Sequence, residues 1–205
     1  MRWLLPEDQK LEHERAKKIA FKWRRRNMSW ADRQVDRFIT YIRRTRTPML
    51  VDESNPLGPI YYRYFVIPRN RWFNCYLHNF LRDDAQDPHD HRMFNISCPL
   101  TDFYYEDRFY HKPKLGGPYP SITRYKVAKR RLRCRFPTTP HRVVVQRDYE
   151  GKPIPMWSLF IGFPQIREWG FWQPHENNRC KWTWWELYDE ERTRDYKRLL
   201  KESGQ

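Results

Sequence analysis

Short runs of aromatic and β-branched residues alternate with polar and turn residues through the middle of the chain. Examples are "IYYRYFVI" (60–67) and "MWSLFIGF" (156–163), and Pro, Gly, Asn or Asp residues separate neighbouring runs. Runs of this kind are typical of β-strands, and their spacing is typical of an antiparallel sandwich or small barrel. The other predicted strands are 72–81, 93–100, 102–107, 121–127, 131–136 and 141–146. We therefore predict a mainly β domain over residues 57–172.

A helical period precedes this β region. Apolar residues recur there at the spacing of one helix face, at Val35, Phe38, Ile39 and Ile42. Ser29 followed by Asp32 resembles a capping box, so the pattern predicts an amphipathic helix over 30–45. Acidic residues precede basic ones along 7–26, an order that the helix dipole favours, and we predict a second helix there.

The segment after the β region starts with the aromatic run "WTWWELY" and continues as a charged tail that we predict to be helical. The chain is thus divided into three parts. A basic helical extension occupies 1–48, the barrel occupies 57–172, and the aromatic segment with a C-terminal helix that packs on the barrel occupies 173–205.

Length and composition favour a folded domain with an unusual charge. The 205 residues suffice for one core, and the 17% aromatic content argues against disorder. The formal net charge of +15 favours nucleic acid, nucleotides, acidic metabolites or an acidic protein face as partners. No apolar run of about 18 residues and no secretory signal are recognisable, so we predict a cytoplasmic protein that does not bind membranes.

Two histidines stand two residues apart in "DDAQDPHDHRMFNIS" (83–97), at the head of a predicted strand. Side chains at i and i+2 of a strand point to the same face, so His89 and His91 have the spacing of two ligands to one metal ion. His141 opens another strand after "PTTP", and Glu106 ends the strand "DFYYE". Three imidazoles and one carboxylate would suit a divalent metal, although a histidine pair in a turn is also compatible with no function.

These motifs together resemble the cupin superfamily. The segments "YLHNFLRDD", "PHDHRMFNISCPL", "FYYE", "HRVVV" and "SLFIGFPQIREWGFW" are similar to bacterial and phage cupin-like proteins whose pattern runs HDHPW, GGYxE, HR and RxWGF. The resemblance covers about residues 60–172. It implies a cupin-type double-stranded β-helix, or jelly-roll barrel, here with N-terminal basic helices and a C-terminal helix. It also implies a possible homodimer, in the host cytoplasm if a phage encodes the chain.

The same resemblance implies a set of site residues. His89, His91, His141 and Glu106 match the metal ligands, with Fe(II) the first choice and Mn, Ni or Zn as alternatives. The set of candidates for substrate binding is His78, Arg167 and Trp169. A guanidinium matches a carboxylate or phosphate bidentately, so the arginine is predicted to clamp an anion. Core packing is the alternative for the aromatic residue, and a hydrogen-bonded core histidine is the alternative for His78.

A second surface is suggested by "RLRCRF" (131–136). Strand alternation places Arg131, Arg133 and Arg135 on one face, and Arg124 and Lys126 add to the charge. Such a cationic stripe would track the phosphates of a nucleic acid, and a merely solvated basic face is the alternative. No phosphate-binding loop, dinucleotide fingerprint or nucleophile elbow is present.

Two hypotheses from different classes follow. The first is a metal-dependent enzyme, with oxygenase chemistry on a small anionic or nucleotide-like substrate as its favoured form. The second is a non-catalytic barrel that binds nucleic acid, a nucleotide or an acidic protein through its basic surface. The second is favoured by Asn95 and Ile96, which stand where ordinary cupins carry a glutamate ligand.

Overall fold

The computed structural model of the protein describes residues 28–51, 58–84, 87–109 and 116–202. The predicted helix over 7–26 lies outside these residues. The chain divides into two units, Met1–Arg44 and Thr45–Gln205, and each is described by itself.

Helix α1 (Trp30–Thr45) makes up most of the described part of the first unit and confirms the helix predicted from the sequence. Ser29 initiates it, because its Oγ accepts a hydrogen bond from the backbone N–H of Asp32 at 3.1 Å and donates one to the Asp32 carboxylate at 2.7 Å. The first bond satisfies one of the backbone donors that a helix start leaves open, and the second joins the two side chains. Ile39 and Ile42 are buried on the apolar face.

The described part of the second unit is built mainly from short antiparallel strands. They are β1 (Met49–Val51), β2 (Tyr61–Phe65), β3 (Asn74–Phe80), β4 (Asn95–Pro99), β5 (Tyr104–Phe109), β6 (Ile122–Val127), β7 (Arg133–Arg135), β8 (His141–Val144), β9 (Met156–Gly162), β10 (Gly170–His175) and β11 (Arg179–Trp184). One sheet has six strands in the order β1-β2-β3-β9-β4-β7. Its non-sequential neighbours show that the chain crosses between layers rather than running as a meander.

The second layer combines the three strands β6-β5-β8 with the hairpin β10-β11. His89 connects the two groups, since it forms an isolated antiparallel bridge with His141 of β8 and another with Phe171 of β10. The residue that begins the histidine pair is therefore also the structural link within this layer.

The core of the second unit draws on both layers. Its buried apolar residues are Ile60, Phe80, Tyr104, Val127, Val143, Val145 and Met156. They come from strands of both layers or from positions next to them. Two antiparallel layers around one interior confirm the predicted mainly β fold, a jelly-roll barrel with a C-terminal helix.

That helix, α2 (Trp185–Glu202), follows β11 directly and packs on the β10-β11 hairpin. The Tyr188 and Phe171 rings stack with centroids 3.7 Å apart. Gly170 allows the hairpin to close, because a Cβ there would lie 2.2 Å from the backbone oxygen of Thr183. No helix in the described part of the chain is long and apolar enough to span a membrane.

Candidate metal centre

Three histidines converge inside the barrel. One ring nitrogen from each of His89, His91 and His141 lies within 4.8 Å of the others. The ring centroids are 4.9 to 5.1 Å apart, and Nε2 of His91 is 3.4 Å from Nε2 of His141. The structure therefore brings the HxH pair together with His141, which the sequence places at a different strand entry.

Backbone hydrogen bonds fix the position of each histidine. His89 and His141 exchange a pair of N–H to C=O bonds, each 2.9 Å long, and the backbone N–H of His91 donates to the oxygen of Pro137 at 3.1 Å. The first two bonds form an isolated antiparallel bridge, and the third joins the segment before β4 to the turn after β7. Main-chain bonds therefore hold all three histidines, although only His141 lies in one of the strands.

Asp90, between the two loop histidines, points the opposite way and is fully buried. Its Oδ1 accepts from the backbone N–H of Gly170 at 2.9 Å. Its Oδ2 accepts from Nε1 of Trp172 and of Trp182, both at 3.2 Å, and from Nη1 of Arg167 at 2.7 Å. The aspartate thus ties the HDH segment to the β10-β11 hairpin while the flanking imidazoles face the interior.

The protonation of two of these imidazoles suits a ligand role. Burial, with the neighbouring His141 and His89, holds the pKa of His91 well below its ordinary range. Burial, with Arg135 and His89 nearby, does the same to the pKa of His141. Both rings are therefore neutral at pH ~7 and offer a lone pair.

One ring tautomer follows from a contact. Nδ1 of His141 lies 3.3 Å from the carbonyl oxygen of Thr139, which only accepts, so Nδ1 carries the proton and Nε2 presents its lone pair to the cluster. A backbone carbonyl on the far nitrogen is the usual support of a metal-binding imidazole. Nδ1 of His89 is buried with no hydrogen-bond partner, and Oδ2 of Asp84 lies 3.5 Å from it. The donors present fit a divalent ion.

Glu106 does not join the histidines, which corrects the predicted fourth ligand. Its carboxylate is fully buried and accepts from Nη2 of Arg135 at 2.8 Å, and it also bonds Nε of Arg108. Nε of Arg133 lies 3.6 Å away. Glu106 does point inward from β5, but three guanidiniums surround its carboxylate oxygens, so it neutralises buried positive charge.

The same contacts correct the predicted cationic stripe. Only residues 133–135 of that segment form a strand, and Arg135 is 2% exposed. It donates to Ser97, Tyr104 and Glu106 in the interior. Alternation places Arg133 and Arg135 on one face, as predicted. That face is turned inward, where both guanidiniums lie near the buried carboxylate of Glu106.

Apolar residues of the segment are exposed instead. Leu132 and Phe136 keep 67% and 69% of their surface accessible. Arg124 is bound by both oxygens of Asp107, at 2.7 and 2.9 Å, and Nζ of Lys126 lies 3.7 Å from the ring centroid of Phe103. Of the five basic residues proposed for phosphate contacts, Arg131 is an exposed residue outside the strands. The five do not form one continuous surface row.

A cavity of about 330 Å³ opens beside the histidines. Two of the three predicted substrate residues line it, His78 and Trp169. Arg167 is not among the lining residues, because Asp90 and the Pro137 carbonyl bind its guanidinium. The predicted anion clamp is therefore a structural ion pair.

Arg63, a lining residue on β2, is not among the site residues that the sequence predicts. It is paired in register with His78 of β3. A signal was present, because Arg63 is the one charged residue in the aromatic run "IYYRYFVI" and shares a strand face with Tyr61 and Phe65. A single charge on the aromatic face of such a partly buried strand favours a binding role for that residue.

Comparisons with known proteins give partial likenesses of shape. The sequence matches no family model and no curated protein. Hydroxypropylphosphonic acid epoxidase from S. wedmorenis is 10% identical with a TM-score of 0.42, over 58% of this chain and 56% of that one. The DMSP lyase DddQ from Ruegeria pomeroyi DSS-3 is 11% identical with a TM-score of 0.44, over 60% and 59%. The aligned parts thus span little more than half of either enzyme.

A cupin domain from Bordetella pertussis is 13% identical with a TM-score of 0.36, over 51% of this chain and 94% of that domain. In the present structure the two antiparallel layers enclose an HxH pair and a later histidine at a strand entry. The chain has a cupin-like fold. The resemblance inferred from the sequence motifs is confirmed at the level of the fold.

Proposed function

We propose that the protein is a metal-dependent enzyme in which His89, His91 and His141 hold a divalent ion at the wall of the cavity. The observation that carries the proposal is the convergence of these imidazoles, two of them neutral and one with a buried nitrogen that lacks a hydrogen-bond partner. Imidazole ligands suit Fe, Zn, Ni and Cu, and Mn is a weaker match for an all-nitrogen set.

The three histidine ligands also indicate which charge the substrate would carry. An imidazole adds no charge when it binds a metal through its lone pair, so an ion held by these three residues would keep its full positive charge and would supply Lewis acidity, with redox chemistry as well if it is Fe(II). A site of that charge favours a small anionic substrate. The aromatic side chains around the cavity, such as Phe160 and Phe171, exclude bulk water from such a molecule.

Oxygenase chemistry with Fe(II) is the specific form that we propose. Three protein ligands leave coordination positions open for a substrate and for dioxygen. The test is oxygen consumption by the full-length protein after anaerobic loading with Fe(II), in the presence of a panel of small organic acids. His141→Ala should abolish substrate-dependent uptake, whereas His175→Ala, an exposed histidine on β10, should leave it unchanged.

Equal uptake by wild type and His141→Ala would contradict the oxygenase proposal. So would the absence of any substrate-dependent uptake across the panel. Loading with Mn, Ni or Zn and analysis for isomerised or hydrolysed product would then test the other reactions open to the same centre.

A second, non-catalytic candidate function rests on the net charge of +15. Nucleic acid, a nucleotide or an acidic protein are the partners of suitable charge. A binding titration at rising salt would test it, because release of counterions makes phosphate contacts steeply salt-dependent. Charge reversal at Arg131 should then weaken binding, while Arg135 is unsuitable as a probe because it is buried.

A further inference from the structure

Arg63 occupies the cavity wall without an acidic partner in the described part of the chain. Its guanidinium carbon lies 5.0 Å from the ring centroid of Tyr76 and 5.5 Å from that of Tyr61. Two other arginines along the cavity do have such partners: Arg135 pairs with Glu106, and Arg92 with Glu168. Arg69 also lines the cavity, but unlike Arg63 it is exposed to solvent. A half-buried charge is destabilising unless it is paired, so the binding of an anion at Arg63 would be favourable.

Most of the donors of Arg63 are still available. Its Nε donates to Nε2 of His78 at 3.3 Å, and its Nη2 donates to the hydroxyl of Tyr61 at 2.7 Å. A guanidinium has five N–H groups, so these two bonds leave three without a partner among the described residues. Both N–H groups of Nη1 and one of Nη2 are among them, which is the fork that binds an oxyanion bidentately.

The two partners fix the guanidinium without neutralising it. His78 accepts through Nε2, so its proton is on Nδ1, and burial together with Arg63 holds the pKa of His78 well below its ordinary range. Burial raises the pKa of Tyr61, so its phenol is neutral as well. Both groups orient the fork and leave its positive charge intact, which lowers the cost of ordering it on binding.

This guanidinium and the histidine cluster share one cavity wall. The ring of Phe160 lies between them, with centroid distances of 5.5 Å to His78 and 5.8 Å to His91. Aromatic rings, including those of Tyr76 and Phe80, also line the cavity, and Asp84 is the acidic residue near enough to act on Tyr61. A molecule anchored at Arg63 would therefore lay an apolar body along Phe160 toward the histidines.

We propose that Arg63 is the anion-recognition residue of this cavity and that its ligand is a small organic acid, with one oxyanion group and an apolar body. The inference rests on the proposed function for the reaction of that acid, whereas binding itself requires only the cavity. Tyr61 and His78 act as positioning residues. A carboxylate and a phosphonate share the required chemistry.

The test uses metal-free full-length protein, so that direct chelation of a metal plays no part. Ligand-observed NMR titrations at constant ionic strength would compare benzoate, phenylphosphonate and the neutral benzyl alcohol. Arg63→Gln should weaken binding of the preferred anion by about ten- to a hundredfold, the usual effect of losing a hydrogen-bonded charge. Benzyl alcohol binding should change little. Arg71→Gln, which removes an exposed arginine that stacks on Trp72 outside the cavity, is the charge-matched control.

The positioning role has its own readout. Tyr61→Phe removes one hydrogen bond and keeps the ring, so it should reduce discrimination between benzoate and benzyl alcohol. Arg63→Lys keeps the charge and loses the fork, and it replaces Arg63→Gln if circular dichroism shows that variant to be unfolded. Either substitution at Arg63 should weaken anion binding more than Arg71→Gln does.

The result also separates this inference from the metal proposal. The His89→Ala/His91→Ala variant should still bind the anion, and Arg63→Gln should still bind metal. Equal binding of benzoate and benzyl alcohol by wild type, or equal losses in Arg63→Gln and Arg71→Gln, would overturn the assignment of Arg63 even if the metal site is real. Preference for phenylphosphonate over benzoate would support the assignment and identify a tetrahedral oxyanion as the ligand group.

Discussion

Replacing Glu106 with glutamine should destabilise the protein in a strongly pH-dependent way. The carboxylate has no exposed surface, and it accepts hydrogen bonds from Arg135, which is 2% exposed, and from Arg108. Glutamine has nearly the same shape but no charge. It would leave the buried Arg135 guanidinium without its counter-ion, a change that typically costs about 3–5 kcal/mol.

The magnitude of the pH effect follows from the carboxylate itself. Its pKa falls from an ordinary 4.5 to about 2, because the attraction of Arg135 and Arg108 outweighs the opposing effect of burial. That difference corresponds to about 3 kcal/mol of stabilisation at neutral pH. Since the folded-state pKa is the lower one, the stabilisation is complete above pH ~4.5 and is lost as the pH falls toward ~2. About 1.4 kcal/mol of it should disappear between pH ~7 and ~3.5.

Urea unfolding of wild type and Glu106→Gln at several pH values would measure this effect. Subtracting the two curves cancels other acid-sensitive groups, including the buried His91 and His141, which also oppose folding when protonated. Glu150→Gln, at an exposed pair with Lys152, is the control and should change stability by less than about 0.5 kcal/mol at any pH. A difference between wild type and Glu106→Gln that stays constant from pH ~7 to ~3.5 would refute the reasoning.

Three further perturbations test the scaffold around the site. Asp90→Asn should lower the free energy of unfolding by about 2–4 kcal/mol in urea titrations, because a buried ion pair and charge-assisted bonds to the β10-β11 hairpin are weakened. Gly170→Ala should cost about 2 kcal/mol or more by the same measurement, since its Cβ would meet backbone, whereas Gly162→Ala should cost less because its Cβ meets the movable thioether of Met93. Tyr188→Ala should lower the free energy of unfolding by about 3 kcal/mol and should speed amide hydrogen exchange selectively in α2. An equal increase in exchange rate throughout the barrel would contradict the role of Tyr188 in docking this helix.

The sequence correctly predicts the features of the site that follow from the local spacing of residues along the chain. The HxH spacing correctly predicts two imidazoles on one side, with Asp90 turned away between them, although both histidines precede β4, which begins at Asn95. The entry of His141 into a strand was also recognisable from the preceding "PTTP". That these sites meet depended on the resemblance to a known fold, since their backbone bridge joins residues about fifty positions apart.

The wrong predictions concern charged side chains whose partners lie far away in the sequence. Strand alternation places Arg135 in a predicted cationic stripe with Arg131 and Arg133, and only the position of Glu106 on β5 explains why it is inside. The guanidinium of Arg167 would suit an anionic ligand, but it is already bound by Asp90, with Nη1 2.7 Å from Oδ2. Arg63 received no assignment because its role depends on the absence of such a partner, a property of the assembled interior and not of the strand.

The metal content of protein purified without a histidine tag tests the central claim most directly. Elemental analysis would compare wild type with His89→Ala/His91→Ala, and with His175→Ala as the exposed-histidine control. The account predicts one equivalent of a divalent transition metal, after reconstitution if necessary, in wild type and His175→Ala, and its loss from the double variant. No bound metal in reconstituted wild type, or equal metal in wild type and the double variant, would contradict it.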